Sequence, residues 1–315
     1  MGQSLDGVLD RLLRPRSATG RVLVTGWFSF PDGEVTAGDF LAERAVREAL
    51  GRLGVPHDSA WSPHFAPGAL TLEAAHPGRY EQVLFVCGPV HGEQLTRLHE
   101  RYASCRRTAV GVSVVDEESA AVRGFERIVA RDRDGEGLLP DLALSARTRP
   151  DAPVVGVALT HGQGEYARRR EHDRVAEALY AWLPTKDCAP VEAETRLARG
   201  DWRLCRTGDQ FLSLLGRLDL VVTDRLHGMV LALSMGVPAL VVDPVRGGAK
   251  VSAQARVVRW PAVIPAETLS ARALDSWWTW CLSPAGRAAA ERRRSLLRRG
   301  PATGRGAAVP GRVSR

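Results

Sequence analysis

The sequence predicts an α/β protein built from two lobes, each with a parallel β-sheet flanked by helices. Short apolar runs alternate with amphipathic segments along both halves of the 315-residue chain, which is typical of parallel sheets with crossover helices. A polar segment that contains two prolines, residues 145–153, separates the two series and indicates a linker. The length allows two domains, each with its own core.

The first half of the chain contains apolar runs that predict strands and one clear amphipathic helix. Strands are expected at residues 21–26, 82–88, 107–114 and 127–130. A helix is expected to begin near Asp39, a good N-cap, because apolar side chains follow it at helical spacing. Gly54 is the expected terminator of this helix.

The second half repeats the alternation of strands and helices. It predicts strands at residues 154–159, 218–223 and 238–242 and helices at about residues 165–182, 209–215 and 226–235. Right-handed crossovers then give two Rossmann-like lobes that face each other across a cleft. We expect these lobes to span residues 1–148 and 149–285.

The net charge of +7 belongs to the C-terminal tail, residues 286–315. The tail holds nine arginines and one glutamate, so the remainder of the chain carries a net charge of about −1. The folded lobes are therefore not basic, and no nucleic-acid partner is expected. A tail of this composition is expected to be partly disordered, and its charge is compatible with peripheral contact with an anionic membrane.

The cysteines and the hydropathy pattern indicate a cytoplasmic protein. The five cysteines are odd in number and include no C-x-x-C pair, which predicts free thiols rather than disulfides or a zinc site. The first 20 residues contain no apolar core of signal-peptide length, and no stretch approaches the ~20 apolar residues of a membrane helix. The acidic residues form no cluster that predicts a metal site.

Ligands of parallel sheets bind at the carboxyl ends of the strands. This rule selects the loops at residues 26–39, 88–92, 131–135, 160–165 and 223–228. The loop at residues 160–165 lacks the lysine of a Walker A sequence, so no ATP site is predicted there.

The most informative stretch is residues 218–243, LDLVVTDRLHGMVLALSMGVPALVVD. A buried strand ends at Thr223, and the next four residues form the turn into a helix. The start of a helix favours anions, Arg225 offers a planar fork for a carboxylate or phosphate, and His227 can move protons near neutral pH. The alternative is that Arg225 pairs with Asp224 and His227 only ends a turn of the core.

The sequence TDRLHG, followed by an apolar helix, then GVP and an apolar strand, resembles the signature of polysaccharide pyruvyl transferases. The resemblance extends over about residues 21–260. Residues 26–39 resemble the glycine-rich opening loop of the family and residues 86–92 its glycine run. Residues 128–132, with the Pro-Asp at 140–141, resemble its Arg-Asp segment. Asp224 stands where a serine is more usual in the family.

The resemblance implies a fold like that of glycosyltransferases with two Rossmann lobes (GT-B-like). It also implies transfer of a pyruvyl unit from phosphoenolpyruvate onto two hydroxyls of a sugar or glycan. Arg225 and Leu226 would bind phosphoenolpyruvate, and His227 would bind it or act as the general acid/base. Arg131 would be a second arginine on the donor, and Lys250 matches a late lysine of the family. By the same resemblance, phosphoenolpyruvate would be the donor substrate, and no further cofactor is implied.

Three further residues are candidates because of their positions in loops. Asp39 is a candidate for holding or activating an acceptor hydroxyl, although a helix N-cap explains it as well. His161 and His91 each follow a predicted strand and are candidates for substrate binding. For Arg131, the structural alternative is a salt bridge to Asp132 or Asp134.

Two other functions remain open from the sequence. A glycosyltransferase that uses a nucleotide-sugar would need the same fold and would direct Arg225 and His227 to the diphosphate. A non-catalytic binding protein on this fold could dock through the arginine-rich tail.

Overall fold

The computed structural model describes residues 4–13, 20–132, 139–148, 151–160 and 166–298. The chain divides into two compact units, Met1–Arg149 and Pro150–Arg315. Each unit is described by itself. His161, a candidate for substrate binding, and the end of the predicted tail, residues 299–315, lie outside the described residues.

The N-terminal unit is an α/β layer around one parallel sheet. Its helices are α1 (Leu5–Leu12), α2 (Ala37–Arg52), α3 (Glu93–Arg101) and α4 (Ala120–Arg123). Its strands are β1 (Val22–Thr25), β2 (His57–Ser59), β3 (Gln82–Val86), β4 (Pro89–Val90), β5 (Arg106–Val114) and β6 (Arg127–Ala130). The order is β2-β1-β3-β5-β4, with β6 also paired to β5, and every pair is parallel. Strands β1 and β3 are buried along their whole length, as both-face coverage by helices requires.

The C-terminal unit is a second α/β layer with a five-stranded parallel sheet. Its strands are β7 (Val154–Ala158), β8 (Ala189–Glu192), β9 (Leu220–Thr223), β10 (Ala239–Asp243) and β11 (Val263–Pro265). Its helices are α5 (His172–Trp182), α6 (Gly208–Leu215), α7 (Leu226–Ser234), α8 (Lys250–Val257), α9 (Ala271–Leu282) and α10 (Pro284–Arg298). The sheet order is β11-β10-β9-β7-β8. The fully buried strands β9 and β10 lie at its centre.

These two sheets confirm the predicted α/β class with two parallel sheets flanked by helices. The strands expected from long apolar runs are present with shifts of one or two residues at their ends. The short strands β2, β4, β8 and β11 were not predicted, because each is only two to four residues long and no long apolar run marks it. The helix expected from residue 165 begins only at His172. Among the described residues, no helix combines the length and hydropathy needed to cross a bilayer.

The C-terminal unit extends beyond the predicted boundary at residue 285. Helix α10 contributes Ala289 and Ala290, which are buried in the core of the unit. Small side chains let two helices approach closely, so an alanine-rich stretch can pack even though arginines surround it. Much of the arginine-rich segment therefore belongs to the fold.

The junction between β9 and α7 is packed tightly around a glycine. The hydroxyl of the buried Thr223 donates to the carbonyl of Ala158 (2.6 Å) and accepts the N–H of Arg225 (3.0 Å). A Cβ added at Gly228 would lie 2.3 Å from Thr223 Oγ1. Gly228 thus allows the first turn of α7 to pack directly on the end of β9.

This packing predicts that Gly228→Ala lowers the stability of the C-terminal unit. Relief of the clash must displace Thr223 or α7, and overpacking of this kind costs about 1–3 kcal/mol. Gly51→Ala is the matched control, because Gly51 is also helical and a Cβ there meets nothing within 4 Å. The control should gain about 0.5–1 kcal/mol from helix propensity. Urea unfolding followed by circular dichroism measures both, and a Gly228→Ala variant as stable as the wild type would contradict the packing argument.

Candidate functional site

A cavity of about 160 Å³ lies at the carboxyl ends of β9 and β10 in the C-terminal unit. It is lined by Tyr166, His172 and residues 224–227, 243–245 and 249–251. This is the position at which parallel sheets bind ligands. The volume lies below the roughly 300–1,000 Å³ of drug-sized pockets, so it suits a small ligand or one end of a larger one.

The floor of the cavity is the start of α7. Arg225 is the N-cap residue with extended backbone, and its carbonyl accepts the N–H of Met229 as the helix begins. The first N–H groups of a helix have no partner within the helix, and the helix dipole is positive at this end. The β9–α7 turn therefore presents an anion-binding arrangement of backbone to the cavity.

The opposite wall is organised by the buried carboxylate of Asp243. One carboxylate oxygen, Oδ1, accepts the N–H of Val245 (3.1 Å), and the other, Oδ2, accepts the N–H groups of Ala249 (2.9 Å) and Ser252 (2.9 Å). These bonds close the loop after β10 and cap the start of α8. They place Lys250, the first residue of α8, at the cavity, where its ammonium lies 5.9 Å from the ring centroid of Tyr166.

The side chain of Arg225 is largely buried, at 13% exposure, and is held by two residues that follow β8. Its Nη1 donates to the carboxylate of Glu194 and, at 2.6 Å, to the hydroxyl of Thr195. Arg225 therefore pairs with Glu194. The structural alternative, in which Arg225 pairs with Asp224, is wrong. Burial acts to raise the pKa of Glu194, but hydrogen bonds from the backbone N–H of Arg196 and from Arg225 outweigh it and leave the pKa lowered.

Asp224 is buried at the cavity, with 2% of its surface exposed. Its Oδ1 accepts the hydroxyl of Thr160 at 2.9 Å, whereas Oδ2 has no hydrogen-bond partner in the described part of the chain. Burial raises the pKa of Asp224 to about 6, although hydrogen bonds from Thr160 oppose the shift. A carboxyl group in this state carries a proton much more often than an exposed aspartate does.

His172 contributes a second buried polar side chain to the cavity. It is 4% exposed, and within the described residues its Nδ1 has no hydrogen-bond partner. Burial lowers the pKa of His172, because the imidazolium is disfavoured away from water. The imidazole is therefore neutral over a wider pH range than an exposed histidine.

His227 and Leu226 complete the lining on α7. His227 is exposed, so its imidazole is accessible from solvent. Leu226 is partly buried and packs against the core of the unit. The structure thus brings the predicted residues Arg225, Leu226, His227 and Lys250 to one cavity.

Asp39 and Arg131 line a different cavity, of about 470 Å³, within the N-terminal unit. Helix α2 begins at Ala37 with Thr36 as the N-cap, so Asp39 is the third residue of the helix and the expectation of an N-cap at Asp39 is wrong. Its Oδ2 accepts the backbone N–H of Thr36 (3.1 Å), and its Oδ1 accepts the thiol of Cys87 (3.0 Å). This is the capping box of a Thr-x-x-Asp sequence. Burial raises the pKa of the Cys87 thiol.

Arg131 is held within its own unit. Its Nη1 donates to Asp141 at 2.8 Å and its Nε to Ser113 at 3.1 Å. A salt bridge is therefore present, as the structural alternative expected, but among the described residues its partner is Asp141 rather than Asp132. Asp134 lies outside the described residues.

The two remaining candidates have different outcomes. The ring of His91 packs on Trp27, with centroids 5.2 Å apart and an angle of 32° between the planes. His161 lies outside the described residues, so its predicted role stays a prediction.

Several residues at the cavity were not identified from the sequence. The missed residues that line the cavity are Tyr166, His172 and Asp243, and the missed partners of Arg225 are Glu194 and Thr195. Asp243 had a usable signal, because it directly follows the strand predicted at residues 238–242, and ligands of parallel sheets bind at the carboxyl ends of strands. Glu194 and Thr195 follow a strand that was not predicted, and no pattern in the sequence marks His172.

The fold and the site define an α/β protein whose C-terminal unit carries a polar cavity at a helix N-terminus. The sequence profile of the family "Polysaccharide pyruvyl transferase" matches residues 205–244, from Cys205 to the residue after β10, Pro244. The resemblance predicted from TDRLHG is confirmed over this segment. No curated protein matches the chain.

The chain is also distantly similar to solved structures. It resembles the spinosyn forosaminyltransferase SpnP, at 14% identity over 90% of this chain and 96% of that one, with a TM-score of 0.34. The glycosyltransferase SnogD from Streptomyces nogalater has 15% identity over 90% and 96%, with a TM-score of 0.30. The UDP-GlcNAc 2-epimerase of Methanocaldococcus jannaschii, solved with UDP-GlcNAc and UDP, has 11% identity over 89% and 100%, with a TM-score of 0.29. At these TM-scores the similarity assigns no function.

The burial of Asp224 predicts that Asp224→Asn becomes more favourable for stability as the pH rises. The folded state holds the proton of Asp224 more tightly than the unfolded state, so burial of this group costs little below pH 3.8 and increasingly more up to about pH 6. The free energy of unfolding of Asp224→Asn minus that of the wild type should increase by about 1–3 kcal/mol between pH 4.5 and pH 8.

Urea unfolding at several pH values measures this difference. Asp209→Asn is the control, since Asp209 is exposed at the start of α6 and its charge is screened by solvent. A difference between the wild type and Asp224→Asn that does not change with pH would show that Asp224 ionises like an exposed aspartate.

Proposed function

We propose that this protein is a transferase that moves a pyruvyl unit from phosphoenolpyruvate onto two hydroxyls of a sugar or glycan as a ketal and releases phosphate. The observation that carries the proposal is the cavity at the β9–α7 turn. There, the segment matched by the family profile places a helix N-terminus beside Arg225, His227 and Lys250.

The lining of the cavity suits a donor with two anionic groups. Phosphoenolpyruvate carries a carboxylate and a phosphate close together. The first N–H groups of α7 can donate to one of them, and the ammonium of Lys250, which lines the same cavity, can attract the other.

Arg225 adds a directional contact. A guanidinium has five N–H donors, and within the described part of the chain the bonds to Glu194 and Thr195 use only Nη1. Glu194 and Thr195 thus fix the orientation of the guanidinium, and the donors on Nε and Nη2 remain for a ligand. Fixing a long side chain before the ligand arrives reduces the entropy lost on binding.

Ketal formation from phosphoenolpyruvate requires two proton transfers and two new C–O bonds. The methylene carbon gains a proton and becomes a methyl group, so positive charge develops at the central carbon. A sugar hydroxyl attacks that carbon and loses its proton, and the C–O bond to phosphate breaks. The second hydroxyl then attacks the same carbon, and its proton leaves with the phosphate.

His227 is the side chain proposed to move protons in this reaction. It is the second residue of α7, is accessible from solvent, and lines the cavity that would hold the donor. An imidazole can give a proton to the methylene carbon and take one from a hydroxyl at pH values near neutral.

The proposal predicts different effects for two residues of the cavity. Lys250→Met should weaken the binding of phosphoenolpyruvate about ten- to hundredfold, the range expected for loss of one charge-assisted contact. His227→Gln should bind the donor nearly as the wild type does but lower the rate of phosphate release by about 10²–10⁴-fold. Calorimetry measures binding, and ³¹P NMR follows phosphate release in the presence of a mixture of acceptor glycans.

Arg256→Met is the matched control, because Arg256 is an exposed cation in the last turn of the same helix as Lys250. It should change neither quantity. Failure of the wild type to bind phosphoenolpyruvate, with clear binding of UDP- or GDP-sugars, would replace the proposal with a nucleotide-sugar glycosyltransferase. Failure to bind either donor would favour a non-catalytic protein.

A further inference from the structure

The cavity contains two buried polar atoms that the proposed chemistry does not use. Within the described residues, Oδ2 of Asp224 and Nδ1 of His172 have no hydrogen-bond partner, although both side chains are more than nine-tenths buried. Both side chains line the cavity at the start of α7. Buried polar atoms in native proteins are nearly always paired, so an unpaired one beside a cavity indicates a missing partner.

The position of Asp224 conflicts with an anionic ligand if its carboxyl group is ionised. A carboxylate can only accept hydrogen bonds, and its charge would repel the carboxylate or phosphate of the donor. A protonated carboxyl group carries no charge and has one O–H that can donate. Its Oδ1 is already oriented by the hydroxyl of Thr160, so Oδ2 is the oxygen left to carry the proton.

We propose that Asp224 binds the anionic donor in its protonated form, with Oδ2–H donating to an anionic oxygen of the ligand, so that binding of the anion takes up one proton from solvent. The inference rests on the donor site proposed above. It adds Asp224 to the residues that bind the donor and predicts proton uptake that can be measured. The ligand class is a small anion that carries a phosphate, a carboxylate or both.

Other charged and titratable groups surround Asp224, and any proton that they take up is common to the wild type and to Asp224→Asn. Arg225 and His227 face the cavity from α7, and the charge of Arg225 is offset by Glu194. Asp243, at the end of β10, already accepts three backbone N–H groups. Lys250 on α8 is a cation that favours the ligand rather than a site for a further proton.

Helix α5 contributes two groups and the segment before it one. Burial lowers the pKa of His172, which works against protonation of its ring. Tyr166 lies in the preceding segment, and burial raises the pKa of the phenol of Tyr180, which therefore holds its proton near neutral pH. In the free protein, burial has already raised the pKa of Asp224 to about 6, and an anion beside the carboxyl group raises it further.

The test is calorimetric titration of the full chain with phosphoenolpyruvate from pH 5.5 to pH 8.5. At each pH, two buffers with different ionisation enthalpies give the number of protons taken up. Near pH 7.5, the wild type should take up about one more proton per ligand than Asp224→Asn. Above pH 6, its dissociation constant should rise about tenfold per pH unit relative to that of the variant.

Asp224→Asn is the informative variant, because an amide N–H can donate to the anion at every pH. The phosphate of the ligand has its own protonation, and the same variant subtracts it. Asp224→Ser, which also keeps a donor, should give the same flat profile. Asp209→Asn, exposed on α6, should behave as the wild type does. Thermal melting confirms that each variant is folded.

The outcomes separate this inference from the proposed function. Equal proton uptake by the wild type and Asp224→Asn would overturn the role of Asp224, and uptake that is lost in His172→Gln instead would assign the proton to the imidazole. If phosphoenolpyruvate does not bind but UDP binds with uptake that depends on Asp224, the proposed function fails and the role of Asp224 stands. If neither phosphoenolpyruvate, UDP nor inorganic phosphate binds, both are overturned.

Discussion

The cavity of the C-terminal unit depends on the hydrogen bonds that converge on the buried carboxylate of Asp243. A charged group placed at the end of a central strand must find partners, because the cost of leaving it unpaired in a dry interior is several kcal/mol. Three backbone N–H groups of the following loop and of α8 supply them. The loop is thereby held at one geometry, and the position of Lys250 follows from it. A wall built from backbone bonds is more rigid than one built from long side chains.

Asp224 directly follows the neighbouring strand β9 and has a different environment. Its Oδ1 accepts the hydroxyl of Thr160, whereas Oδ2 has no hydrogen-bond partner among the described residues. The two carboxyl groups are both buried at the carboxyl end of one sheet, yet one is saturated with donors and the other is not. This difference separates a structural role for Asp243 from a role in ligand binding for Asp224.

Most of the fold and part of the site follow from the sequence, and the reasons for the failures are physical. The buried strands β1, β3, β9 and β10 are continuous apolar runs, which a sequence shows directly. The edge strand β8 is only four residues long and mostly exposed, so no apolar run marks it in the sequence. Glu194 and Thr195, which follow β8 and orient Arg225, were missed with it. The loop after β10 was missed although its strand was predicted. The packing of α10 depends on two alanines that face α7 and its neighbours, and composition conceals such a pattern among arginines.

The contacts of the two predicted arginines change the account of how an anion would be held. Arg131 is bound to Asp141 and Ser113 inside the N-terminal unit, and Arg225 is bound to Glu194 and Thr195 inside the C-terminal one. Each guanidinium charge is thus largely balanced before any ligand arrives. The cavity can then attract an anion through the backbone N–H groups at the start of α7, through the ammonium of Lys250 and through a protonated Asp224. Charge balance of this kind lowers the affinity for anions in general but raises specificity. A guanidinium held in one orientation binds well only an anion whose oxygens match its geometry.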